Sequence, residues 1–260
     1  MLRPRIIPCL LIQNNGLVKT VKFEKPKYVG DPINAVRIFN EKEADELMVL
    51  DIDASVMGRA PDFKLIERLA AECRMPLCYG GGVKSREQAR ELISLGVEKV
   101  ALSSALVQNT TLAADIADEV GRQSVVAVLD VKKKRFSKKY EVWTQRGKQN
   151  SHLCPIELSL SLQDQGIGEL VINSIDHDGM MNGYDLDLIE QIHSNLRVPM
   201  SVLGGAGSQE DIGALIQRFG IIGAGAGSMF VFKGPYKAVL INYPSPEAKN
   251  TLINSALRTR

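Results

Sequence analysis

Apolar runs and amphipathic stretches alternate from one end of the chain to the other. Eight runs read as strands, near Arg5–Leu11, Glu46–Asp53, Pro76–Gly81, Glu98–Ser103, Ser124–Asp130, Glu169–Ser174, Pro199–Gly204 and Ile221–Gly227. Most, such as IIPCLLI, LMVLDID and VVAVLD, are continuously apolar rather than alternating, as parallel strands covered on both faces are. Between them the period becomes helical: Leu65, Ile66, Leu69, Ala70 and Cys73 form one apolar stripe. Asp31-Pro32 reads as N-cap and first helical residue, and Ser85-Arg86-Glu87-Gln88 has the form of a capping box. Gly96, Gly121, Gly166 and Gly220 each close a helical stretch just before a strand, where a left-handed residue is wanted.

Strand followed by helix, eight times over, predicts an α/β fold: a closed (β/α)8 TIM barrel with an outer helical ring. A doubly wound open sheet is the alternative, and the count of eight argues against it. An internal echo agrees with the barrel. LDIDAS from Leu50 returns as SIDHDG from Ser174, Gly80–Gly82 as Gly204-Gly205, and LSSALV near Ser103 as GSMFVF near Ser228. The offset is 124 or 125 residues each time, which recurrence of Gly and Asp alone would not fix. A single barrel, 1–260, made of half-barrels of about 1–123 and 124–260, follows.

Composition narrows the classes. With 260 residues, 45% hydrophobic and 24% charged, the chain is ordinary for one barrel and excludes disordered, collagenous and coiled-coil classes. No apolar run approaches the ~18 residues of a membrane span. Ile6–Ile12 is short, contains Pro8 and leads to no small-residue cleavage site, so no secretory signal is expected. A net charge of +2 gives no reason to expect nucleic acid or an anionic membrane as partner. Cys9, Cys73, Cys78 and Cys154 show no paired spacing, which suits a reducing cytoplasm and no structural zinc.

In this fold, chemistry gathers at the C-terminal strand ends. There the chain delivers Asp51 and Asp53, Gly80–Gly82, Ser103 and Ser104, Asp130, Asp176 and Asp178, Gly204 and Gly205, then Gly227 and Ser228. The Gly/Ser sets suit phosphate, because glycine lets backbone N–H groups approach an oxyanion and hydroxyls donate further bonds. One set follows strands 3 and 4 and the other strands 7 and 8, so a ligand with an anionic group at each end is expected. Asp130, directly after an apolar strand, is placed for general acid/base work, with a salt bridge to Lys132 as the bland reading. Arg5, Glu46, Lys99 and Glu169 precede four strands and should meet at the barrel floor, either as a gate or as ion pairs that seal it. KKKRFSKK, Lys132 to Lys139, is expected to be a solvated hairpin tip with YEVWTQRG as its return strand. His152 and His193 are expected at the surface. His177 could meet a ligand, but no metal-ligand spacing surrounds it, and no metal or cofactor is expected.

Together RIIPCL, GDP near Asp31, DELMVLDIDAS, YGGGV, VVAVLD, SIDHDG with GYD following, and GGAG resemble the cyclase subunit of imidazole glycerol phosphate synthase, the HisF family, over essentially the full length. The resemblance implies phosphate binding by Gly81, Gly82, Ser103, Ser104, Asp176, Gly204, Gly205, Gly227 and Ser228, and catalysis by Asp130 with Lys19 of the first βα loop. It implies a HisH-like glutaminase docked on the N-terminal face, with Arg5, Glu46, Lys99 and Glu169 as the ammonia gate. One departure stands out: the family's second catalytic aspartate, after RIIPCL, is Leu11 here. Leu203 replaces a usual serine, and Met180 and Met181 replace usual polar residues. Two functions follow. The expected one is a HisF-like paralogue of surface-polysaccharide (lipopolysaccharide O-antigen) systems, passing ammonia toward acetamido-to-acetamidino conversion on a nucleotide sugar with an ATP-dependent amidotransferase. The alternative is the authentic cyclase–lyase of histidine biosynthesis, with Asp130 aided by some substitute acid. Isomerisation of the related aminoaldose would leave the floor charges without a use.

Overall fold

The computed structural model describes residues 3–259 and closes the predicted barrel. Its staves are β1 (Arg5–Gln13), β2 (Leu47–Asp51), β3 (Leu77–Gly80), β4 (Lys99–Leu102), β5 (Val125–Lys133), β6 (Glu169–Ser174), β7 (Met200–Leu203) and β8 (Gly223–Ala226). Every neighbouring pair is parallel, and the ring is sealed where Arg5–Pro8 of β1 meet Gly223–Ala226 of β8. Among the described residues, eight helices of eight or more residues surround it: α1 (Pro32–Glu41), α2 (Phe63–Glu72), α3 (Arg86–Ser94), α4 (Leu112–Val120), α5 (Pro155–Asp164), α6 (Leu186–His193), α7 (Gln209–Phe219) and α8 (Pro246–Arg258).

Two apolar cores result, because alternate residues of a stave face opposite sides. Ile6, Leu10 and Ile12 of β1 join the large layer between staves and helices. Ile7 and Cys9 point into the bore, with Met48, Cys78, Ala101, Val126, Val128, Val171 and Leu203. The predicted boundaries have their expected causes. The Asp31 side chain accepts from Asn34 N at 2.9 Å, and Gly96, Gly121, Gly166 and Gly220 all adopt positive φ. The box at Ser85 is only half formed, since Gln88 Oε1 takes the amide of Lys84 instead. The reciprocal box lies at Ser208 and Asp211 of α7, where Asp in place of Glu hides the pattern.

Two loops carry strands of their own. The first, after β1, forms a hairpin (Gly16–Val21 with Glu24–Gly30) that folds over the barrel mouth. The second extends β5 into Tyr140–Thr144, so the basic run is the expected hairpin tip, with Lys132 over the Trp143 ring. Among the described residues, no helix is long and apolar enough to cross a membrane.

Candidate functional site

A cavity of about 1270 Å³, counting its open mouth, lies at the C-terminal strand ends. Its walls include Lys19, Gly81, Gly82, Ser103, Ser104, Asp130, Gly204, Gly205, Gly227 and Ser228, so all but one of the residues expected at the mouth for catalysis or phosphate meet in one place. Asp176 does not. Its carboxylate accepts the Lys133 amide at 2.9 Å and braces the β5 hairpin. Met180 and Met181 also stay outside this cavity, so neither glycine set is filled by them.

Asp130 stands at the end of the bore. Burial lifts its pKa to about 7, with Asp178 adding to the rise, while hydrogen bonds from Asn173 and Ser103 draw it down. The Asn173 amide donates to it at 2.9 Å, and Lys132 is not its partner. A carboxyl group near its midpoint at neutral pH is suited to both giving and taking protons. Lys19 is buried (5% exposed) and donates to the carbonyl of Cys9. Burial lowers its pKa, with the Asp178 charge opposing. Its ammonium lies 2.6 Å from where a Gly227 Cβ would be, so it sits directly against the end of β8. Asp178 accepts from Thr20 Oγ1 at 2.7 Å and from the Phe23 amide at 3.1 Å, which pins the first hairpin over the mouth. Leu11 occupies the β1 position beside Leu50 and faces the cavity.

The two Gly/Ser sets share a geometry. Gly81 and Gly82 (φ +123° and +76°) and Gly204 and Gly205 (φ +90° and +116°) all hold conformations that L side chains rarely adopt. A Cβ at Gly81 would strike Asp51 O at 2.5 Å, and one at Gly205 would strike Gly183 O at 2.0 Å. Ser103 and Gly227 each precede a short helix, Ser104–Gln108 and Ser228–Val231, aimed at the cavity wall.

At the opposite end, Arg5, Glu46, Lys99 and Glu169 do meet. Arg5 bonds Glu46 and, at 2.7 Å, Glu169; Lys99 reaches Glu46 at 2.9 Å and Glu169 at 2.8 Å. The two carboxylates are 2% and 4% exposed. Burial opposes the charge on Glu169, but Arg5 and Lys99 outweigh it and hold its pKa below the carboxylate norm. Burial likewise opposes Lys99 and Arg5, and the two glutamates raise both.

Several contributors escaped the sequence. Ser201 donates to Glu169 at 2.5 Å and joins the floor ring; a lone serine inside the apolar run of β7 was the available signal. Asn173 in β6 is a similar case. Arg146 reaches the cavity wall and pairs with Asp53 at 2.7 Å, while Thr20 and Phe23 arrive only through the fold of the hairpin. His177 bonds Ser174 at 2.9 Å and does not line the cavity, and His193 lies against Phe219.

Comparison with known proteins is consistent throughout. The family model described as "Histidine biosynthesis protein" matches residues 5–236. A Vibrio vulnificus protein with the provisional name of an imidazole glycerol phosphate synthase subunit, hisF3, is 57% identical over 249 residues, covering 96% of each chain. A Leptospira interrogans protein, also provisionally named as a HisF subunit of that synthase, is 55% identical over 97% of this chain and 99% of its own. The imidazole glycerol phosphate synthase subunit HisF of Natranaerobius thermophilus is 36% identical over 94% of this chain and 97% of its own.

Proposed function

The chain belongs to the HisF family of histidine-biosynthesis barrels, and from that premise we propose that it is the ammonia-using synthase subunit of a glutaminase-coupled pair. The observation that carries this reading is a closed ring of four charges at one end of an apolar bore whose other end opens between two Gly/Ser cradles. Arg5, Glu46, Lys99 and Glu169 form the ammonia gate, against which a HisH-like glutaminase docks. Neutral ammonia crosses the apolar bore readily, whereas ammonium would have to leave its hydration shell behind. Gly81, Gly82, Ser103 and Ser104 hold one phosphate, and Gly204, Gly205, Gly227 and Ser228 the other.

The fate of the ammonia divides two readings. In the first, the barrel is a conduit with little chemistry of its own, because Leu11 can neither accept nor donate a proton. The ammonia then goes to an ATP-dependent amidotransferase that turns an acetamido group on a nucleotide sugar into an acetamidino group. In the second, the chain is an authentic cyclase–lyase. Asp130, with its midpoint about 7, supports it by placing a proton-exchanging carboxyl at the mouth, beside Asp178, whose pKa burial also raises. Ammonia-dependent turnover of the phosphoribulosyl formimino substrate, with wild type beside Leu11→Asp, separates them. Robust wild-type turnover sinks the conduit reading. Absence of turnover, partly restored by the aspartate, sinks the cyclase.

A further inference from the structure

The wall between the two cradles is divided. Asp130 of β5 and Asn173 of β6 make one side polar, while Lys19 reaches down from the first hairpin to the Cys9 carbonyl of β1, beside Gly227. The other side is apolar: Leu11 of β1 and Leu50 of β2 are only partly covered and face the cavity, and Leu203 of β7 completes the surface. Glycines on neighbouring staves lie close against two of these leucines. A Cβ at Gly225 would lie 2.4 Å from Leu203 Cδ2, and one at Gly80 would lie 2.9 Å from Leu50 Cδ2. Leu11, Leu50 and Leu203 belong to one apolar cluster that continues down the bore. Hydroxyls laid against it would lose water and find no acceptor or donor in return.

Resting on the cradle reading above, we infer that the mouth takes a ligand with an anionic group at each end and an alkyl or deoxygenated edge between them. That edge lies on Leu11, Leu50 and Leu203, and the polar edge turns to Asp130 and Asn173. A fully hydroxylated chain is disfavoured.

The test is calorimetric titration of the full-length protein with alkane-α,ω-diol bisphosphates, from propanediol to octanediol, beside sugar bisphosphates of matching length and inorganic phosphate. The best alkanediol bisphosphate is expected to bind at least about tenfold more tightly than its sugar counterpart. Leu11→Asp and Leu203→Ser, each shown to be folded by circular dichroism, should shrink that preference to about threefold or less. Equal or tighter binding of the sugar bisphosphate by the wild type overturns the apolar edge and leaves the cradles standing. A preference undiminished in both variants overturns the role of the leucines. No binding of any bisphosphate or of phosphate overturns the inference and the cradle reading together.

Discussion

Glu169→Gln tests the floor ring directly. The substitution keeps the shape but removes one of two negative charges that hold Arg5 and Lys99, and it turns an amide N–H₂ toward groups that can only donate. The Ser201 hydroxyl also loses a charged acceptor. Breaking one partner of a buried pair typically costs 3–5 kcal/mol, but Glu46 still contacts both cations, so about 2–4 kcal/mol is expected here. For a chain of this size that is a fall of roughly 5–15 °C in Tm. The pH dependence has a definite sign. The folded pKa of Glu169 lies below its unfolded value, so its stabilisation is present above about pH 4.3 and is lost as pH falls through the folded pKa. Lys99 is raised, so its share is present below about pH 10.4 and is lost as pH rises through its folded pKa. Urea unfolding of wild type and variant at neutral pH, repeated at acid pH, measures both effects. A neutral-pH difference under about 1 kcal/mol, or one that does not shrink on acidification, refutes the reasoning.

Four further outcomes are expected. Asp130→Asn should stabilise the fold by roughly 1–3 kcal/mol at pH 8, with little effect near pH 4, because a carboxyl whose pKa is raised favours folding only while protonated; urea unfolding at the two pH values reads this out. Carbon-detected titration of the wild-type Asp130 carboxyl should give a midpoint near 7. Gly205→Ala should cost more than about 2 kcal/mol in urea unfolding, since φ is +116° and the added Cβ would meet Gly183 O at 2.0 Å. Cys9 and Cys78 are buried and their thiols pushed up in pKa by burial, Cys9 to about 11, so both should resist a thiol reagent at pH 8 until urea unfolds the chain.

Most of the architecture was legible because its causes are local. A stave buried on both faces must be apolar throughout, and a chain leaving a helix for a strand favours a glycine at the turn; IIPCLLI, VVAVLD and Gly96, Gly121, Gly166 and Gly220 state both in plain order. Strand ends were legible too, and with them the convergence of Lys19, Asp130 and the glycine and serine sets on one cavity. Two carboxylates a residue apart, Asp176 and Asp178, follow the same strand, and only the hairpin that each one braces tells them apart.

What the sequence by itself determined, then, is the barrel, its family and the strand ends where chemistry gathers, since each depends on the order of residues along one short segment. Only the tertiary structure decided that Ser201 enters the floor ring, that Thr20 and Phe23 are tied to Asp178 across the mouth, and that Leu11, Leu50 and Leu203 form one surface. Those groups come from staves and loops far apart in the chain. Closure of the barrel alone sets the distances over which hydrogen bonding, charge and burial act.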